Sequence, residues 1–168
     1  MFWHAQMRRS LLIAVLAALL AAAPADAWST GRTNLAWATV NVCDTAAHPN
    51  EMGVRGAMPG LKRRSVMRMR FRVQYRTVDG RWRTVADGAD SGWVKVATGR
   101  RGLHDAGWSF EFKPPVTGGA HVLRGRVSFE WRRGGAVVAR ERRFTQAGHP
   151  GTAGADPVDF SAATCEIA

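Results

Sequence analysis

One stretch of the sequence alternates apolar residues with arginines at every second position. It runs from Met67 to Tyr75, and Arg68, Arg70 and Arg72 occupy its polar positions. Successive residues of a β-strand point to opposite faces, so a strand here would bury the apolar side chains and turn the three guanidinium groups outward together. Guanidinium groups gathered on one surface can bind a polyanion, or they can simply keep that surface solvated.

A second arginine-bearing strand is predicted from Leu123 to Trp131. Its polar positions include Arg124 and Arg126, and its apolar positions include Val127 and Phe129. If this strand lies beside the first one, the two wet faces coincide, and arginines two residues apart along each strand are spaced by about 6–7 Å.

A hairpin at residues 133–135 leads into a third arginine-bearing strand, which is predicted at Val137–Phe144. Arg140 and Arg142 could extend the patch, although the same hairpin turns Glu141 inward and leaves the register of this strand open. The predicted polyanion-binding residues are Arg68, Arg70, Arg72, Arg124, Arg126, Arg140 and Arg142.

Two accounts of this face are open. Like charges opposite each other destabilise a sheet by about 0.2–1 kcal/mol per pair, yet a charged face also deters aggregation between sheets. Alternatively, the face binds an anionic cell-wall polymer or extracellular nucleic acid. The formal net charge of +11 attracts polyanions in either case. By strand parity the face carries no interleaved aromatic side chains, which disfavours a single-stranded nucleic-acid partner.

Tryptophan residues suggest carbohydrate recognition as an alternative function. Trp82 and Trp93 lie in less regular segments and could present exposed rings to a sugar. Trp108 and Trp131 share strand parity with phenylalanines, so we expect both of them in the core.

Catalytic and metal-binding motifs are weak in this sequence. No G-x-S-x-G motif occurs, and a loop-based hydrolase built from His104, Asp105 and Asp90 is the third and least favoured possibility. Asp87 and Asp90 are flanked by Gly88 and Gly92, a setting more typical of turns than of a calcium loop. The expectation is a protein without catalytic residues, metal or cofactor.

The two cysteines, Cys43 and Cys165, stand far apart in the sequence and lack the C-x-x-C spacing of redox motifs. In an exported protein an isolated pair is most simply a structural disulfide, which here would close a loop of 123 residues.

The N-terminal segment has the pattern of a secretory signal peptide. Arg8 and Arg9 precede the apolar run Leu11–Ala23, and residues 25–27 form a small-x-small cleavage pattern. The run is shorter than the roughly 20 apolar residues that a membrane-spanning helix needs. Residues 1–27 are therefore predicted to be a signal peptide, and residues 28–168 a single secreted, extracellular domain.

Short alternating segments separated by Gly, Pro, Asn and Asp recur throughout the predicted domain, and helical periodicity is absent. This pattern predicts an all-β, antiparallel β-sandwich of about seven to nine strands. A turn is expected at Asp79–Gly80, and a polar connection at Gly99–Gly107 before a strand at Trp108–Phe112. The remaining predicted strands are Asn34–Val42, Glu51–Ala57, Arg81–Val85, Trp93–Ala97 and a returning segment at Phe160–Ile167.

Two stretches carry a resemblance to known sandwiches. Phe71–Arg76, with Gly80, Trp82 and Val85 after it, resembles the C and C′ strands of fibronectin type III domains. Val122–Trp131, followed by a hairpin, resembles their F and G strands. The resemblance implies a fibronectin type III or immunoglobulin-like sandwich.

The whole predicted domain is also similar to a group of uncharacterised secreted proteins of high-GC bacteria. The stretches that carry this similarity are the one that contains Cys43, Asp44, His48 and Pro49 and the tail Asp156–Cys165. A fold alone does not define a function, so this resemblance implies export but indicates nothing about activity.

Overall fold

The computed structural model describes residues 35–116 and 118–168, and the predicted signal peptide lies outside these ranges. The described residues form antiparallel strands, and no helix among them is long and apolar enough to cross a membrane. The strands are β1 (Trp37–Cys43), β2 (Glu51–Pro59), β3 (Ser65–Arg76), β4 (Trp82–Thr84), β5 (Val94–Gly99), β6 (Leu103–Glu111), β7 (His121–Arg133), β8 (Ala136–Phe144) and β9 (Cys165–Ile167).

These strands form two sheets that pack face to face. The smaller sheet has the order β1-β2-β6, and the larger sheet has the order β4-β3-β7-β8. In the larger sheet β5 also pairs with β3, and β9 also pairs with β7. The prediction of an all-β antiparallel sandwich is confirmed, with a strand count at the upper end of the expected range.

Strand alternation builds the core between the two sheets. In β3 the side chains of Met67, Met69 and Phe71 are fully buried, and in β7 so are those of Phe129 and Trp131. The Trp131 ring also donates a hydrogen bond of 2.8 Å from Nε1 to the carbonyl of Pro59, so its polar group is satisfied.

The sheets approach closely at Gly125 in β7. A Cβ atom at this position would lie 2.6 Å from Cγ2 of Thr145 and 2.8 Å from Cγ1 of Val54. Such distances are shorter than van der Waals contact, so only glycine allows the two sheets to close here.

The predicted disulfide between Cys43 and Cys165 is present, with 5.4 Å between the two Cα atoms. It joins the end of β1, in the smaller sheet, to the start of β9, in the larger sheet.

The predicted position of Trp108 is wrong. Trp108 pairs with Val54, which is fully buried, but 43% of the Trp108 residue surface is exposed. The cause is that β6 is an edge strand, so no neighbouring strand covers its outer side. Strand β6 also begins at Leu103, and the predicted polar connection over Gly99–Gly107 is therefore mostly strand.

The register of β8 turns Glu141 toward the inner side, as its hairpin with β7 suggested. Glu141 pairs with the buried Phe129 in the register of the sheet. Its carboxylate forms an ion pair with Arg143, whose Nε also donates a hydrogen bond of 3.1 Å to the carbonyl of Ala36. Arg140 and Arg142 consequently point to the outer side of the sheet.

Candidate functional site: an arginine-rich sheet face

The outer side of the larger sheet is strongly basic, and we call it the arginine face. Strands β3 and β7 pair so that Arg72 lies directly opposite Arg126, and Gln74 opposite Arg124. Strand β8 continues the same surface, with Arg142 opposite Ser128. The basic side chains of this face are Arg68, Arg70, Arg72, Lys95, Arg124, Arg126, Arg132, Arg140 and Arg142.

All seven arginines predicted from the sequence therefore lie on one continuous surface. The carboxylates that form ion pairs with these basic side chains are Asp90 and Glu130. At the far end of the same side, Arg76 on β3 and Glu166 on β9 offset each other in the charge count. Nine basic side chains and two carboxylates leave a formal charge of +7 on the arginine face.

Asp90 neutralises one edge of the arginine face. Its carboxylate accepts hydrogen bonds from both Nε and Nη2 of Arg70, the former at 2.7 Å, and from Nε of Arg72 at 2.8 Å. The hydrogen bond from Arg70 is the main reason why the pKa of Asp90 falls to about 2. Asp90 is thus an internal counter-ion for two of the predicted binding arginines.

The backbone holds Asp90 in this place. Arg72 and Asp90 form an antiparallel bridge, and the amide of Val73 donates to the carbonyl of Ala89. On the other side of Asp90, the amide of Ser91 donates to the carbonyl of Phe71. The connection between β4 and β5 therefore runs along β3 as a fixed segment.

Glu130 lies beneath arginine side chains on the same face. It accepts hydrogen bonds of 2.9 Å from Arg132 and 3.0 Å from Arg140, and only 1% of its side chain is exposed. Burial raises the pKa of Glu130, but the hydrogen bonds from the two arginines outweigh burial and lower the pKa below its ordinary value. Glu130 therefore stays ionised and neutralises the part of the face near the β7–β8 hairpin.

Arg124 is held between two aromatic rings. Its guanidinium carbon lies 4.3 Å from the ring centre of Trp82 and 4.0 Å from that of Phe144. Its Nε and Nη2 also donate to Oε1 of Gln74, at 3.0 and 2.8 Å. These contacts occupy the guanidinium group, so Arg124 contributes mainly to the structure of the face.

The expectation that the arginine face lacks aromatic side chains is wrong. Trp82 and Phe144 reach it from β4 and β8, and Trp93 lies there against Arg68, whose guanidinium carbon is 5.8 Å from the ring centre. Strand parity within β3 and β7 could not indicate these rings, because they come from neighbouring strands and from the segment before β5.

Trp93 lines two shallow depressions of the arginine face. One, of about 360 Å³, lies between Trp93, Arg68 and Lys95. The other, of about 520 Å³, extends from Trp93 across Ser128 to Arg142. Trp82 and Trp93 are thus both partly exposed, and a guanidinium group packs against each of them.

The positive charge is least compensated around Arg126. Its Nε is buried and has no hydrogen-bond partner within residues 35–116 and 118–168. Desolvation lowers the pKa of Arg126, and the nearby charges of Arg72 and Arg142 lower it further. A buried donor without an acceptor costs about 1–3 kcal/mol, and an arginine opposite another arginine adds about 0.2–1 kcal/mol.

The residues of the hydrolase hypothesis are not brought together. His104 lies in β6 with its Nε2 3.1 Å from the carbonyl of Arg101, and Asp105 binds Nε of Arg55 at 2.9 Å. Asp90 lies against the other sheet, where its oxygens are occupied by arginines.

Metal binding likewise finds no support in the described part of the chain. It holds no group of three or more His, Cys, Asp or Glu side chains that could bind a metal ion. Asp90, one of the two aspartates considered for calcium, is instead a counter-ion for Arg70 and Arg72.

No known family model matches the sequence, and no curated protein matches it.

Proposed function

We propose that this protein is an exported, non-enzymatic binding module whose arginine face binds an anionic polymer at the cell exterior. The observation that carries the proposal is the excess of seven positive charges on one continuous sheet surface. A surface of this charge attracts an extended polyanion by releasing its counter-ions, and it needs no deep pocket to do so.

A solvated face without function would explain the charge less well. Solvation requires only that arginine heads reach water, and it does not require two arginines to lie opposite each other. Arg72 and Arg126 are such a pair, and the buried Nε of Arg126 adds a further cost. Arrangements that cost stability are expected at sites that serve a function.

Export is part of the proposal. It is supported by the N-terminal pattern of the sequence and by the disulfide, since disulfides persist in oxidising compartments. We also propose that the sandwich is of the fibronectin type III or immunoglobulin-like type. The sheet orders β1-β2-β6 and β4-β3-β7-β8 support this assignment, because they correspond to the strands A-B-E and C′-C-F-G of such domains.

Retention of the purified protein on immobilised poly(glycerol phosphate) tests the function, with neutral dextran as the blank. We expect retention at 50 mM salt that falls steeply by 200 mM salt, because counter-ion release drives the binding. A variant with serine in place of Arg68, Arg70 and Arg72 should lose most of this retention.

A control variant with the same change of charge carries serine in place of Arg63, Arg64 and Arg100. These arginines are exposed and lie in connections between strands, outside the arginine face, so their loss should have a small effect. Equal loss in both variants would mean that net charge alone attracts the polymer, and absence of retention in the wild type at low salt would overturn the proposal.

A second candidate function is recognition of an acidic saccharide at Trp93. The depression between Trp93, Arg68 and Lys95 favours it, because an aromatic ring beside cationic groups suits an acidic sugar. Titration of uronic-acid oligosaccharides should then quench the tryptophan fluorescence of the wild type but not of Trp93→Phe combined with Lys95→Gln. Unchanged wild-type fluorescence across the series would exclude this function.

A further inference from the structure

The nine basic side chains of the arginine face are unevenly engaged within the protein. Arg70 donates to Asp90 from both Nε and Nη2, and Arg132 and Arg140 bind Glu130. Arg124 lies between two aromatic rings. Arg68 donates from Nη2 to the carbonyl of Trp93 and packs against the Trp93 ring. Arg72, whose Asp90 contact uses Nε alone, Arg126 and Arg142 also keep guanidinium capacity for an external ligand, and these three occupy neighbouring positions of the sheet.

These three arginines surround a small side chain. Ser128 lies on β7 two residues from Arg126, and Arg142 lies opposite Ser128 on β8. Arg72 lies opposite Arg126 on β3 and is thus a diagonal neighbour of Ser128, whose direct partner on β3 is Arg70. Arg72, Arg126 and Arg142 therefore occupy positions around Ser128 on three adjacent strands. Opposite Cβ atoms in a sheet are about 4.5–5.5 Å apart and diagonal ones about 7–8 Å, distances that long arginine side chains span easily.

We propose that Arg72, Arg126 and Arg142 form, above Ser128, a single site for a phosphate or sulfate ester group of an acidic polymer. The inference rests on the proposed function and locates it at one point of the arginine face. The depression that extends from Trp93 across Ser128 to Arg142 gives the polymer room to lie beside the site.

The geometry favours a tetrahedral oxyanion over a carboxylate. Asp90 shows what a carboxylate on this same face accepts: its two oxygens take two hydrogen bonds from Arg70, one from Arg72 and one from the amide of Gly92. Three guanidinium groups that converge from different strands offer more donors, in more directions, than two coplanar oxygens accept. A phosphate or sulfate group presents additional oxygens, and the hydroxyl of Ser128 can donate to one of them.

A matched pair of double variants tests the position of the site. Arg126→Gln with Arg142→Gln removes two of its arginines, whereas Lys95→Gln with Arg140→Gln removes two charges from the same face outside the site. We expect the first variant to weaken binding to poly(glycerol phosphate) at least about tenfold and to reduce the slope of log K against log salt by about two. The second variant should lower affinity by less than about threefold.

A third variant, Ser128→Asp, tests the site without removing any arginine. Its carboxylate would lie among Arg72, Arg126 and Arg142 and act as a bound anion, so polymer binding should be abolished while the protein remains folded. Unimpaired binding by Ser128→Asp would overturn the proposed site.

The class of ligand is tested with three polymers: poly(glycerol phosphate), heparin and polygalacturonate. We expect binding of the phosphate polymer or of the sulfate polymer to depend on Arg126 and Arg142. Comparison of the affinities for those two polymers identifies the preferred ester. Equal dependence of polygalacturonate binding on the two arginines would overturn the assignment of a tetrahedral ligand.

Equal weakening of binding by the two double variants would overturn the site but leave the proposed function intact. Absence of wild-type binding to any of the three polymers would overturn the function itself.

Discussion

Arg126 combines two unfavourable features in one side chain. It lies opposite Arg72, and its buried Nε lacks a hydrogen-bond partner in the described ranges. Neighbouring arginines avoid this situation because Asp90, Glu130 or Gln74 accept their hydrogen bonds. If Arg126 is retained for binding, its removal should improve stability while it impairs function.

We therefore predict that Arg126→Met raises the free energy of unfolding. Methionine keeps the apolar stem but removes both the like-charge contact and the unsatisfied donor, for a gain of about 1 kcal/mol. Urea unfolding at low ionic strength measures the difference, and part of it should disappear in 0.5 M salt as the charges are screened. A clear loss of stability would show that Arg126 serves the fold instead.

Asp90 gives the protein a stability that depends on pH. Its pKa is about 2 in the folded protein, below the ordinary value of 3.8, so its ionised form favours the folded state. This contribution is complete above pH 4 and is lost as the pH falls from about 4 toward 2. About a third of the side chain is exposed, so solvent screening reduces the contribution to about 1 kcal/mol.

The variant Asp90→Asn should accordingly be about 1 kcal/mol less stable than the wild type at pH 7. The difference should shrink below pH 4 and disappear as the pH falls through about 2, because the wild-type carboxyl then becomes protonated in the folded protein as well. Urea unfolding of both proteins between pH 2 and pH 7 tests this dependence. A difference that stays constant with pH would mean that Asp90 acts through its backbone position rather than its charge.

At the level of strands, the position of a strand in its sheet, central or at the edge, determines how far a tryptophan in that strand is buried. Trp131 in β7 has strands on both sides and is fully buried, whereas Trp108 in the edge strand β6 is 43% exposed. Both residues occupy inward positions of their strands, so the alternation of the sequence alone does not distinguish them.

Alanine substitution should separate the two tryptophans. Trp131→Ala removes a fully packed ring and one hydrogen bond, so we expect a loss of about 3–5 kcal/mol. Trp108→Ala should cost about 1 kcal/mol or less, because much of its ring already contacts water. Chemical denaturation of the two variants supplies both values, and similar losses would mean that the edge of β6 is covered in solution.

The same contrast explains which features could be predicted from sequence. The alternation of β3 and β7 has a period of two and depends only on local geometry, so their inward and outward residues followed directly. Trp108, Trp82 and the Asp90 counter-ion depend on which strands become neighbours, and single-sequence patterns carry little information about that. The predicted arginines were therefore placed on the correct face. Which of them have donors free for a ligand became evident only from their tertiary contacts.

For the whole molecule, the sandwich lets one sheet carry a costly charged surface. The larger sheet packs its inner side against the smaller sheet, and the approach at Gly125 brings the two layers into close contact. The arginine side chains therefore repel one another on a sheet whose opposite side is firmly packed. The disulfide adds a covalent link between the same two sheets at the ends of β1 and β9.

Removal of this link should show how much of the stability it provides. Cys43 and Cys165 close a loop of 123 residues, and the chain-entropy model gives about 4–5 kcal/mol for a loop of this length. The double variant Cys43→Ser with Cys165→Ser should lose stability of this order in urea unfolding, and reductant should lower the stability of the wild type but not of the variant.

Where the variant remains folded, it should still bind poly(glycerol phosphate), because the arginines are held by β3, β7 and β8 rather than by the disulfide. Loss of binding by a folded variant would mean that the arrangement of the arginine face depends on the covalent link between the sheets.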